Sequence, residues 1–180
     1  MFDATLAQKM LHIAPEKANE AIFRKLKHIE YTAGDKFTDG YDAAYAKGTI
    51  NMDITNINFP DNSFDVIICS HVLEHIPDDR LAMRELYRVL KPNGFAILQV
   101  PLDKYRAETY EDWSITTPEA RLAAFGQYDH VRWYGRDYAG RLQESGFQVD
   151  VNEYAKTFSP NEAFKFGIDT TEDIYFCKKI

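Results

Sequence analysis

Residues 64–101, FDVIICSHVLEHIPDDRLAMRELYRVLKPNGFAILQVP, decide the fold. Two short, continuous apolar runs, Phe64 to Cys69 and Phe95 to Val100, bracket a polar loop and a helix-period segment. Unbroken apolar strands of this length belong to a parallel sheet covered on both faces. The segment between them carries Met83, Leu86, Tyr87 and Leu90 as one stripe. Asp78 or Asp79 is placed to cap that helix, and Lys91-Pro92-Asn93-Gly94 to end it and turn into the next strand. Two histidines and a glutamate fall in the loop at the carboxyl end of the first strand, the edge where open α/β sheets bind ligands.

Outward from this block the same alternation continues. Met10 to Ala14 reads as a strand, and Pro15 opens a helix with Ala18, Ile22, Phe23 and Leu26 on one face. Strands are expected at Ile29 to Ala33 and Thr49 to Ile54, with the looser GYDAAYAKG (40–48) between them. Arg136 to Ser145 reads as a helix closed by Gly146, followed by strands at Phe147 to Tyr154 and Asp173 to Lys178 with a helix-like NEAFKF between them. Residues 102–134 show no clear period and are rich in Tyr and Trp. The pattern predicts one α/β domain over 1–180, a three-layer sheet of seven mostly parallel strands with helices on both faces.

Composition bounds the function. The hydrophobic share of 45% and charged share of 27% are those of a globular domain. A formal charge of −7 and pI near 5.2 argue against nucleic acid as the main partner. Nothing resembles a signal peptide or a membrane span, so no membrane is expected and the cytoplasm is the default location. Cys69 and Cys177 read as small buried hydrophobes. His12, His71, His75 and His130 do not fall at zinc-motif spacing, and no metal is expected. Oligomeric state is not encoded in any recognisable pattern.

The 64–101 block resembles the fourth-to-fifth-strand unit of class I S-adenosylmethionine-dependent methyltransferases, and the resemblance, strongest over about 53–101, extends over nearly the whole chain. It implies a Rossmann-like sheet in the order 3-2-1-4-5-7-6 with strand 7 antiparallel, S-adenosylmethionine as cofactor with S-adenosylhomocysteine as product, and a small-molecule acceptor. The first loop, MLHIAPEK (10–17), departs from the family pattern: His12 stands where an acid is usual, and Ala14, Pro15 and Glu16 stand at the glycine positions. His12, Ala14 and Glu16 are still the expected cofactor contacts there. Asp35, about 20 residues beyond the loop, suits ribose hydroxyls. The resemblance assigns adenine to Asp53 and the backbone of Ile54, and the sulfonium end of the cofactor to Ser70 and His71. His75, His130 and His71 are the candidate bases, since a histidine titrating near pH 6.5 can take a proton from an acceptor hydroxyl. Arg132 joins His130 at the expected acceptor pocket, walled by Tyr105, Tyr110, Trp113, Tyr128, Trp133 and Tyr134.

Few residues precede the first strand, which suggests a minimal enzyme, a truncated chain, or a lid supplied by 102–134 or another subunit. Two other readings stay open: a catalytically inactive module that keeps the fold, and a nicotinamide-dependent oxidoreductase. The second is opposed by the lack of a G-x-G-x-x-G turn, which a diphosphate needs.

Overall fold

The computed structural model describes residues 8–37 and 47–180; most of the GYDAAYAKG segment lies outside them. The elements run β1 (Gln8–Ile13), α1 (Lys17–Phe23), β2 (Ile29–Asp35), β3 (Thr49–Asn51), β4 (Phe64–Ser70), α2 (Asp79–Val89), β5 (Leu90–Gln99), β6 (Tyr110–Glu111), α3 (Pro118–Phe125), β7 (Arg132–Trp133), α4 (Tyr138–Glu144), β8 (Gln148–Asn152), α5 (Pro160–Phe166) and β9 (Ile174–Lys178). Seven strands form one sheet in the order β3-β2-β1-β4-β5-β9-β8, and β6 and β7 form a separate antiparallel ribbon. With the ribbon set aside, this is the expected 3-2-1-4-5-7-6 order. Strands β1 to β5 pair in parallel, while β9 is antiparallel to both its neighbours.

The apolar runs are continuous because both faces of the central strands are covered. Leu11, Ile13, Ile67, Cys69, Ala96 and Leu98 face a layer built by Ala82, Met83, Leu86 and Val89 of α2 and Tyr138 and Leu142 of α4. Met10, Ile29, Val66 and Ile68 alternate with them and face Phe23, Leu26 and Tyr31 on the α1 side. Alternation along each strand thus sends adjacent residues into two separate cores.

Of the two aspartates placed to cap α2, Asp78 does so, accepting from Leu81 N at 2.9 Å. Asp79 is buried and accepts from the Tyr134 hydroxyl at 2.8 Å and from Arg141 at 3.1 Å. The Lys91–Gly94 turn is absorbed into β5 as a bulge. Leu90 already pairs with Phe64, and the register resumes at Val66 and Phe95. Asn93 takes φ 65°, and a Cβ on Gly94 would come within 2.9 Å of the Asp65 carbonyl, so the chain needs glycine there. Residues 102–134 are more ordered than their sequence suggests. Helix α3, capped by Thr117 and closed by Gly126 at φ 82°, buries only Phe125, so it shows no apolar stripe.

Candidate functional site

At the carboxyl end of β1 the chain turns through Ala14, which adopts φ 44° and donates its amide to Gly34 O at 2.8 Å. This is left-handed backbone of the kind glycine favours, reached here by alanine. His12 lies just before it, fully buried. Its Nδ1 is 2.9 Å from the Tyr31 hydroxyl and its Nε2 is 3.0 Å from Glu16 Oε2. Burial lowers the His12 pKa, over the opposing pull of Glu16 and Glu20. In the neutral ring Nε2–H donates to Glu16 and Nδ1 accepts from Tyr31. His12 therefore does not reach the cleft; it aims Glu16, whose side chain is 43% exposed. The expected His12 contribution to the cofactor site would then run through Glu16.

Asp35 and Asp53 stand at neighbouring strand ends, where Met52 N donates to Asp35 O at 2.8 Å. Partial burial raises the Asp35 pKa against a backbone hydrogen bond from Lys36. Asp53 is pulled down to about 2, first by Lys36 and then by the Thr55 hydroxyl and amide. Its Oδ1 accepts from Thr55 N at 2.9 Å and Oγ1 at 2.6 Å, and Oδ2 accepts from Lys36 Nζ at 2.8 Å. Asp53 thus caps its own turn, and any further donor must share these oxygens. The Ile54 side chain is buried in the core.

After β4, Ser70 is half-buried and His71 turns at φ 55°, held by its amide to Gln99 O at 2.9 Å. A 3-10 turn, Leu73–His75, follows. His71 Nδ1 lies 3.6 Å from Glu74 Oε1, and the Glu74 carboxylate raises the His71 pKa over the opposing effect of burial. His75 and His130 meet edge to face, with ring centroids 4.7 Å apart. Of the three histidines, only His71 lines the cleft.

That cleft, about 480 Å³, opens where β1, β4 and β5 end. Glu16, Ser70, His71 and Gln99 form its polar side, and Ile97, Tyr154, Phe158 and Ile168 its apolar side. Asp169 and Glu172 add negative charge at the rim. The aromatic side chains lining this cleft, Tyr154 and Phe158, come from residues 154–168, and none of those from 102–134 is among its lining residues. Tyr105 and Tyr128 project into solvent, and Tyr134 is sealed in the core. Helix α5 on this side of the cleft starts at the Ser159–Glu162 capping box, a signal present in the sequence.

Arg132 also departs from its expected place. It is fully buried and donates to the carbonyls of Leu73 (2.8 Å) and Pro77 (2.8 Å) and to Glu111 (2.6 Å). It holds the β4–α2 loop from beneath. Burial works to raise the Glu111 pKa, but Arg132 and Arg141 outweigh it and the net shift is downward.

The strand order, the antiparallel β9 and a cleft at the carboxyl ends of the parallel strands define a Rossmann-like α/β fold. The chain belongs to the methyltransferase domain family, whose model matches residues 7–98, within the class I S-adenosylmethionine-dependent superfamily. It is 30% identical over 122 residues to a demethylmenaquinone methyltransferase of Geobacillus sp. (strain WCH70), covering 61% of this chain and 52% of that protein. The chain spans about half the length of the curated relatives it matches. Among solved structures, it superposes with a TM-score of 0.62 at 16% identity on the putative methyltransferase in complex with the Trm112 activator of Haloferax volcanii, covering 96% of this chain and 83% of that one. The 1,6-didemethyltoxoflavin N1-methyltransferase of Burkholderia thailandensis, with bound 1,6-didemethyltoxoflavin and S-adenosylhomocysteine, gives 0.63 at 14% identity over 97% of this chain and 72% of that one. At these identities the structural likeness establishes the fold alone.

Proposed function

We propose that the protein transfers a methyl group from S-adenosylmethionine to a partly apolar small molecule, releasing S-adenosylhomocysteine. The observation that carries this reading is the cleft itself, which joins the acidic and polar ends of β1 and β4 to an apolar wall within one space. The residues fit the cofactor. Ala14 supplies the left-handed turn without glycine, and a sulfonium compound has no diphosphate demanding closer backbone approach. Glu16 and Ser70 would face the amino-acid portion, Asp35 the ribose, Asp53 and the Ile54 backbone the adenine, and His71 the sulfonium side. When bound, the cofactor supplies an electrophilic methyl group whose carbon–sulfur bond breaks with its electron pair left on sulfur.

The chain's own contribution is alignment and exclusion of water. Glu16 is pre-aimed by His12, while Asp169 and Glu172 make the rim favourable to a cation. Tyr154, Phe158 and Ile168 would give the acceptor side an apolar surface. Calorimetric titration with S-adenosylmethionine and S-adenosylhomocysteine tests the donor site, and labelled-methyl transfer to a panel of aromatic and heterocyclic acceptors tests the reaction. Failure of both sulfur compounds to bind at millimolar concentration would overturn the proposal; binding without transfer to any acceptor would favour an inactive binding module.

A further inference from the structure

The fold brings together Glu74, His75 and His130, which no motif spacing connects. One oxygen or nitrogen from each lies within 4.8 Å of the others. The Glu74 side chain is 2% exposed, and its Oε2 is buried without a hydrogen-bond partner among the described residues. A buried carboxylate oxygen left bare is costly and calls for a ligand that the protein does not itself supply. Both imidazoles are held from behind. His130 Nδ1 sits 3.1 Å from the Phe125 carbonyl, which can only accept, so Nδ1 carries the proton and Nε2 keeps its lone pair. His75 Nδ1 faces Asp129 Oδ2 at 3.4 Å, and its Nε2 lies 3.9 Å from Glu74 Oε1. Outer carbonyl and carboxylate partners of this kind orient histidines for metal ligation.

We propose that Glu74, His75 and His130 bind a divalent transition-metal ion; two imidazoles and a carboxylate suit both zinc(II) and iron(II), and zinc(II), which has no redox chemistry, is the simpler probe. Tetrahedral bonds of about 2.1 Å put donors about 3.4 Å apart, so no pair would have to close by more than about 1.4 Å. The ion would fasten the β4–α2 loop to the segment between α3 and β7, which already meet through Val131 N and Glu74 O at 3.0 Å. Its remaining coordination position is left to water or to a ligand beside His71, 3.6 Å from the same carboxylate. This inference is independent of methyl transfer.

The test is zinc titration of the chelator-stripped full chain by calorimetry, with cobalt(II) absorption as a second readout. One equivalent should bind more tightly than about 10 µM, and cobalt should give the visible bands of a low-coordinate site. Glu74→Gln and His130→Asn should each weaken binding by about 100-fold or more. Asp129→Asn keeps all three ligands and should weaken it by about 10- to 100-fold. Zinc should raise the melting temperature of the unaltered chain but not of His75→Asn. No zinc binding in this range, or binding unchanged by Asp129→Asn and His75→Asn, would overturn the proposal, even if Glu74→Gln failed to fold.

Discussion

His12 Nε2 and Glu16 Oε2 stand 3.0 Å apart, the first residue buried and the second on the cleft. A histidine in place of the usual acid at the end of β1 thus acts one residue removed, by fixing a carboxylate that faces the ligand space. Burial keeps His12 below its ordinary 6.5, against Glu16 and Glu20, with Tyr31 on its other nitrogen. The unfolded chain therefore takes up a proton that the folded one resists. This contribution to stability is present above pH 6.5 and lost as pH falls through 6.5 toward the lower folded value. Urea midpoints measured at about pH 7.5 and about pH 5.5 should fall less in His12→Gln than in the unaltered chain. Equal falls would assign the pH dependence elsewhere.

Asp35→Ala should weaken S-adenosylhomocysteine binding by about 10- to 100-fold, the range of a charge-assisted hydrogen bond. Because Asp35 is only partly buried, the melting temperature should change little. Unaltered affinity in calorimetry would remove the ribose from this residue.

Arg132→Met should cost about 3–5 kcal/mol, because it strands buried carbonyls and a carboxylate that the guanidinium now serves together. Arg132→Lys should recover only part of that loss, since one ammonium cannot match the planar fork. Denaturant unfolding measures both. If Arg132 belonged to an acceptor pocket instead, stability would hold and acceptor KM would rise.

Two glycines should respond differently to alanine. At Gly135 a Cβ would come within 2.6 Å of the Glu108 backbone, which cannot step aside. At Gly34 it would meet Met52 Sδ at 2.8 Å, the far end of a flexible side chain. Gly135→Ala should therefore cost about 1–3 kcal/mol and Gly34→Ala distinctly less, as read from thermal unfolding.

What could be read from the chain follows from which interactions are local. The apolar runs at Phe64–Cys69 and Phe95–Val100 and the α2 stripe betray their surroundings directly, so the sheet, its order by resemblance and its ligand edge were all legible. The site was legible only in part. Ser70 and His71 follow a strand, and their position is set by it. His75 and His130, by contrast, are joined by a tertiary contact, and Arg132 is turned inward by carbonyls more than fifty positions away. The aromatic residues of 102–134 are a related case. Residues 102–134 are rich in Tyr and Trp, yet side-chain direction sends Tyr105 outward and Tyr134 inward. The shorter 154–168 stretch reaches the cleft.

Strand β9 lies between β5 and β8, and among the described residues β8 has no other neighbour in the sheet. A chain emerging from the ribosome exposes β8 before the strand that must seat it. The first five strands can pair as they appear, while the far third of the sheet waits for residues 174–178. Until those arrive, the free edge of β5 and the unseated β8 are the surfaces most open to chaperones and to wrong partners.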